Sequence, residues 1–306
     1  MDSLIDGIDQ RTNLAGNNRL ELLLFRLGGS QLYGINVFKV REAIPCPSLT
    51  KIPGGHRFSR GVASIRGQTV NIVDLSQSIG RAAVNEPNNN FVILTEYNRS
   101  VQGFLVSAVD RIINISWSDV LPPPAASGSD NYMTAITRVD EQLVQIIDVE
   151  QVLAEVMGSN TAVSADIAEQ ASEQNSEQRK RVLVAEDSSV ARNQIKRTLE
   201  QIGVDTTIAK NGREALQILQ NWAAEGLKVA DHVSLLISDI EMPEMDGYTL
   251  TSEIRKDPAL RDLQVLLHTS MSGTFNQALV KKVGADKFLP KFSADELAAE
   301  VQKLIA

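Results

Sequence analysis

Residues 235–247 read LLISDIEMPEMDG, an apolar run that reaches Asp239 and passes at once into acids, a proline and a glycine. Leu235, Leu236 and Ile237 show no polar alternation, the pattern of a short strand covered on both faces in a parallel sheet. Pro243 and Gly247 stop it. Asp239 therefore falls near the carboxyl end of the strand, the edge at which open α/β sheets place their ligand sites. A lone aspartate there can equally be the first residue of a loop. The company it keeps decides between the two readings.

Three other segments of the same half end in reactive side chains. RVLVAEDSS (181–189) delivers Glu186 and Asp187, QVLLHTS (264–270) delivers Thr269 and Ser270, and DKFLPKF (286–292) delivers Lys291. Between them Ala191, Ile195, Leu199 and Ile202 recur at helical spacing before Gly203, and Leu216, Leu219 and Ala223 do so again. Strands alternating with helices imply parallel βαβ units. The final helix opens at FSADEL, where Ser293 and Glu296 fit a capping box and Leu297, Val301 and Leu304 form a stripe. Singly, each site residue has a plainer reading: a helix entry for the acidic pair, a surface lysine, a capping threonine. Jointly, if the strands are parallel neighbours, three carboxylates, a hydroxyl and an ammonium meet at one edge. Clustered carboxylates repel unless a cation neutralises them, and magnesium suits a few carboxylates plus waters and phosphate oxygens. Such a site accepts a phosphoryl group, with Asp239 attacking phosphorus while Lys291 and Thr269 bind the remaining oxygens.

With those motifs, residues 181–306 resemble a response-regulator receiver domain, an α/β doubly wound fold. The resemblance implies Glu186 and Asp187 as the acidic pair, Asp239 as phosphoacceptor and the backbone carbonyl of Glu241 as a further Mg2+ ligand. It also implies Thr269 as the switch hydroxyl, Phe288 as the switch aromatic and Lys291 as the phosphate-binding lysine. One position departs from the pattern: proline usually follows the lysine, whereas here Pro290 precedes it and Phe292 follows.

The 306 residues leave room for two domains, each with its own core. A formal charge of −8 supplies no basic field for nucleic acid. Cys46 is the only cysteine, so no intramolecular disulfide forms. No apolar run is long enough for a membrane span, and MDSLIDGIDQ lacks the features of a secretory signal. These features predict a cytoplasmic protein without direct membrane insertion, able to reach a membrane array only through partners.

After Met157 the pattern fades. GSNTAVSADIAEQASEQNSEQRK is small and polar, with only Val163 and Ile167 as larger apolar residues. It reads as a flexible linker over 158–180, with a short surface helix as the alternative for part of it. Before it, after an N-terminal tail at 1–19, short strands are expected at ELLLFRL, QLYGINV, GVASIRG, QTVNIVDL, FVILTEY and LVQIIDV, punctuated by turn formers. That is all-β punctuation. No helix-turn-helix, nucleotide loop or nucleophile triad is visible, so a binding module, not an enzyme, is expected.

Residues 20–157, through YGINVFKVREAI and GVASIRGQTVNIVDL, resemble the CheW-type coupling domain, built from two small five-stranded barrels. Coupling domain, linker and receiver in that order resemble the CheV-type chemotaxis coupling proteins. The resemblance implies an adaptor in a two-component system that docks onto a chemoreceptor tip and a chemotaxis histidine kinase, tuned by phosphorylation of Asp239. A phosphate sink draining the kinase is the alternative. It places Val40 and Gly61 on the kinase-facing surface, where core packing and turn geometry are their plainer readings. Arg66 and Glu42 are expected to pair near the receptor-facing region, because an arginine buried inside an apolar strand needs a partner.

Overall fold

The computed structural model describes residues 19–84, 90–97, 100–123, 132–158, 162–168, 180–269, 282–291 and 293–305. The expected N-terminal tail up to residue 18, most of the expected linker, Ser270 and Phe292 lie outside them. The chain divides into two compact units, Arg19–Gly158 and a second one that takes in everything after it.

The first unit is made of strands β1 (Arg19–Arg26), β2 (Leu32–Asn36), β3 (Val40–Pro45), β4 (Ser59–Ile65), β5 (Gln68–Asp74), β6 (Phe91–Tyr97), β7 (Ser100–Val106), β8 (Ala108–Ser116), β9 (Met133–Val139) and β10 (Gln142–Ile147), with helices α1 (Leu75–Ser78) and α2 (Val149–Met157). They form two five-stranded sheets, ordered β8-β1-β2-β10-β9 and β3-β6-β7-β5-β4. An isolated bridge draws the edges of each sheet together, Leu121 with Ile136 in one and Thr50 with Val62 in the other. Each sheet thus curls towards a small barrel, which leaves little edge open for pairing with other chains.

Both faces of the central strands are buried, and this explains why they read as continuous apolar runs. Along β1, Leu20, Leu22 and Leu24 pack with Val144 and Ile146 inside the first barrel. Leu23 and Phe25 point the other way, into a core shared with Ile93, Phe104 and Val106 of the second barrel and with Val152 and Leu153 of α2. Each such side chain contributes roughly 1.5–3 kcal/mol through burial. NIVDL (71–75) and QIIDV (145–149) repeat one device: a strand ends in an aspartate that caps the next helix. Asp74 Oδ1 accepts the Gln77 N–H at 3.1 Å, and Asp148 Oδ1 accepts those of Glu150 and Gln151 at 3.0 and 3.1 Å. The strand expected through Val149 therefore stops at Ile147, and α2 begins.

The second unit contains β11 (Arg181–Ala185), α3 (Ser189–Gln201), β12 (Asp205–Ala209), α4 (Gly212–Ala224), α5 (Val229–His232), β13 (Leu235–Ser238), α6 (Gly247–Lys256), β14 (Gln264–Thr269), β15 (Lys287–Pro290) and α7 (Ala294–Ile305). Its sheet is parallel throughout, ordered β12-β11-β13-β14-β15. The order reverses between β11 and β13, which opens a crevice at the carboxyl ends of those strands. Alternate residues serve opposite faces: Val182, Val184, Leu235 and Ile237 meet α3 and α7, while Leu183, Ala185 and Leu236 meet α4 and α6. The capping serine is in place, with the Glu296 N–H donating to Ser293 Oγ at 3.3 Å.

Part of the segment read as a linker has structure. Residues 162–168 form a turn in which the Ile167 and Ala168 N–H groups donate to the Ser164 carbonyl. Val163 and Ile167 pack on the α3–α7 side of the second unit. Here the short-helix alternative describes the chain better than a flexible tether.

Candidate functional site

Four strand ends line the crevice, with Ser270 outside the described residues. β11 ends one residue before Glu186, β13 one before Asp239, β14 at Thr269 and β15 one before Lys291. The register places Ala185 beside Ser238, Ser238 beside Leu267, and Thr269 beside Pro290. Lys291 Nζ lies 2.8 Å from Glu186 Oε2 and 3.1 Å from Asp239 Oδ2, and all three side chains are at most 3% exposed. Carboxylate oxygens of Glu186, Asp187 and Asp239 lie within 4.8 Å of one another. Among the described residues three carboxylates gather here and two of them meet one ammonium, which concentrates negative charge in a buried place. Such charge is tolerated only when paired or neutralised.

Pro290, the departure from the usual pattern, does not displace Lys291. Among the described residues β15 is an edge strand that pairs with β14, where a proline without N–H is tolerated. The ladder resumes at once, with the Lys291 N–H donating to the Thr269 carbonyl at 2.7 Å.

The acids after Asp239 have separate tasks. Asp239 Oδ1 accepts the Ile240 N–H at 2.8 Å, which orients the carboxylate. Glu244 takes a left-handed conformation at φ 63° in the turn closed by the Met245 N–H and the Pro243 carbonyl. Asp246 caps α6 through the Thr249 N–H and hydroxyl, at 2.8 and 2.7 Å. At Gly247 a Cβ would meet the Asp239 carbonyl oxygen at 2.2 Å, so only glycine lets α6 start this close to the site. Glu241 is buried in the same loop. Burial raises the pKa of the Tyr248 hydroxyl, and the charges of Glu241 and Asp246 raise it further. Thr269 is fully buried, and Phe288 is half-buried against the α4–α6 core.

Arg192 was not anticipated from sequence. From the first turn of α3 its Nη1 donates to the carbonyls of Glu186 and Asp187, both at 2.7 Å. One cation thus fixes the backbone that carries the acidic pair. The only signal was its place five residues after Asp187, because contacts to backbone leave no side-chain pattern to read.

In the first unit the expected pair forms: Arg66 donates to both oxygens of Glu42, at 2.9 and 2.7 Å. Its setting corrects the expectation. Arg66 is not inside a strand but in the β4–β5 turn, at φ 50° beside Gly67 at φ 79°, with its side chain 78% exposed. Two adjacent left-handed residues are what a two-residue hairpin requires. The hydrogen bond from Arg66 lowers the pKa of Glu42. Val40 packs part of its surface on the shared core. Gly61 is buried at φ 129°, where a Cβ would meet the Thr50 carbonyl oxygen at 2.3 Å. The bridge that closes the second barrel therefore demands a glycine there.

Two curled five-stranded sheets and a parallel five-stranded sheet with an acidic crevice define a protein with two modules. The CheW-like domain family matches residues 21–157 and the response regulator receiver domain family matches residues 182–302. Over nearly its whole length the chain is similar to chemotaxis proteins of Helicobacter pylori. It is 32% identical to Chemotaxis protein CheV3, covering 94% of this chain and 95% of that protein, and 29% identical to Chemotaxis protein CheV1, covering 99% and 98%. Its first part is 28% identical to Chemotaxis protein CheW of Klebsiella aerogenes, over 48% of this chain and 90% of that one. The chain belongs to the CheV family of chemotaxis proteins. Among the described residues, no helix is long and apolar enough to cross a membrane.

Proposed function

We propose that this protein is a chemotaxis scaffold whose CheW-like domain couples chemoreceptors to a sensor histidine kinase, and whose receiver tunes that coupling through phosphorylation of Asp239. The observation that carries the reading is the convergence of Asp239, the acidic pair and Lys291 in one buried crevice, on the same chain as a CheW-like domain. Asp239 Oδ would form a bond to phosphorus as the bond from phosphorus to the kinase histidine nitrogen breaks. Lys291 and Thr269 would bind the transferred oxygens. Glu186, Asp187 and Asp239 fit a magnesium ion, because they supply hard oxygen donors close together, with the Glu241 carbonyl completing the set. A magnesium ion supplies charge neutralisation across the carboxylate and phosphoryl oxygens when bound. A CheW-like domain on the same chain favours an adaptor over a phosphatase.

In the CheW-like domain, Val40 and Gly61 are assigned to the kinase-facing surface, and the Arg66–Glu42 pair to the receptor-facing one. Thr269 and Phe288 are assigned to the switch, the hydroxyl moving towards the phosphoryl group and the ring towards the space it leaves. The test is reconstitution of receptor, kinase and this protein with Asp239 or with Asp239→Asn. Expected is complete loss of phosphoryl labelling with the fold intact, together with altered control of the kinase. Labelling at another residue would overturn the assignment of Asp239. Loss of labelling with receptor coupling unchanged would favour a phosphate sink.

A further inference from the structure

The turn at 162–168 joins two helices that have no other reason to share it. The Val163 N–H donates to Gln201 Oε1 at 3.0 Å, at the last residue of α3. The Ser164 N–H donates to Asp295 Oδ1 at 2.7 Å, in the first turn of α7. Val163 and Ile167, four residues apart on one side of the turn, rest on the core that Leu199, Leu297 and Val301 share. These are the only two large apolar residues in an otherwise polar segment. An unspecific tether would have no use for either apolar side chain at that spacing, nor for two side-chain acceptors aimed at its N–H groups.

The contact also lies close in sequence to the crevice. Asp295 follows Lys291 by four residues, and Lys291 is held by Asp239, by Glu186 and by the Thr269 carbonyl. New phosphoryl oxygens at Asp239 would compete for the Lys291 ammonium and draw on the chain that enters α7. We propose that residues 162–168 are a latch that closes across α3 and α7 when Asp239 is unmodified and opens when it is phosphorylated, so that the phosphoryl group sets the length of the tether between the two halves. The proposal rests on the phosphoacceptor role of Asp239. Opening frees seven residues, which adds up to roughly 23–25 Å of reach and changes the effective concentration of the receiver beside its partners. Coupling of this kind is reciprocal: if phosphorylation opens the latch, opening the latch favours the phosphorylated form.

The experiment uses the full-length protein with magnesium and beryllofluoride, a phosphoryl mimic whose binding is seen independently by fluorine NMR. Hydrogen exchange at the amides of Val163, Ser164, Ile167 and Ala168 should speed up by about tenfold on binding, with the β11–β13 core unchanged. Ile167→Ser and, separately, Asp295→Ala should produce the fast exchange without the mimic and tighten beryllofluoride binding about fivefold. Bound mimic with unchanged exchange, or folded variants with unchanged affinity, would overturn the latch alone. Absence of any fluorine signal from bound mimic would overturn the Asp239 assignment, and the latch with it.

Discussion

Asp74 and Asp148 in the first unit, and Glu186 and Asp239 in the second, are all strand-end carboxylates with 4% or less of their surface exposed. Yet they do different things. In the first unit each aspartate lies at the end of its own strand and turns back onto the helix that follows, accepting its N–H groups, and Asp74 also meets Arg60 at 3.3 Å. In the second unit the acids come from different strands of a parallel sheet, so that besides a local N–H each their side chains meet at a shared lysine. A carboxylate at a strand tip is therefore weak evidence of chemistry. Several converging from neighbouring parallel strands are strong evidence.

Removing Lys291 should break the second unit more than any cap loss breaks the first. Lys291→Met leaves Glu186 and Asp239 buried without their counter-charge, and stripping one partner from a buried pair costs about 3–5 kcal/mol. Chemical denaturation should show that loss in the receiver transition, and millimolar magnesium should recover part of it by binding the folded state alone. A loss no larger than that of a cap substitution, with no magnesium effect, would erase the distinction drawn here.

Asp148 offers the matching test with a smaller effect. Its pKa is raised, chiefly by burial, with Lys39 opposing. A raised folded-state pKa means that stability is lost as pH rises from the ordinary aspartate value through the raised one. Asn caps a helix about as well as Asp. Asp148→Asn should therefore remove that slope while keeping stability at neutral pH within about 1 kcal/mol of the parent. Denaturation curves across the acid range would check it, and an unchanged slope would show that Asp148 is not the group responsible.

The same contrast governs what was legible in the sequence. Receiver strands buried on both faces announce themselves as apolar runs, and their ends named Glu186, Asp187, Asp239, Thr269 and Lys291 directly. Strands β3, β7, β8 and β9 of the first unit, and β12 of the second, were not read from the sequence. β3 alternates half-buried with exposed residues along VREAIP, and the middle of β8 is exposed at Asp110, Arg111 and Ile112. Helix α2 was hidden because an apolar residue, Val149, follows the run of β10 after the single Asp148, so the strand reads on through the cap. Val163 and Ile167 were visible as isolated apolar residues, but their significance depends on a surface that is assembled from distant segments. Arg192 acts on carbonyls, which every residue has.

The smallest expected stability effect, and the sharpest separation of folding from partner binding, belongs to Arg66. Its pair with Glu42 has ideal two-pronged geometry but sits in water, where screening and the entropy of holding two side chains cancel most of the attraction. Meanwhile its φ of 50° is one that glycine adopts more readily than arginine. Arg66→Gly removes the pair and relaxes the turn at once, so the melting temperature should stay within experimental error of the parent. If the pair exists to present Glu42 and the turn to a receptor, the same variant should lose receptor binding in a pull-down with receptor fragments. Arg66→Lys, which keeps charge without the fork, should restore only part of it. Full receptor binding by Arg66→Gly would mean that the pair is a surface contact with no bearing on coupling, and the receptor-facing assignment would have to move elsewhere on the barrel.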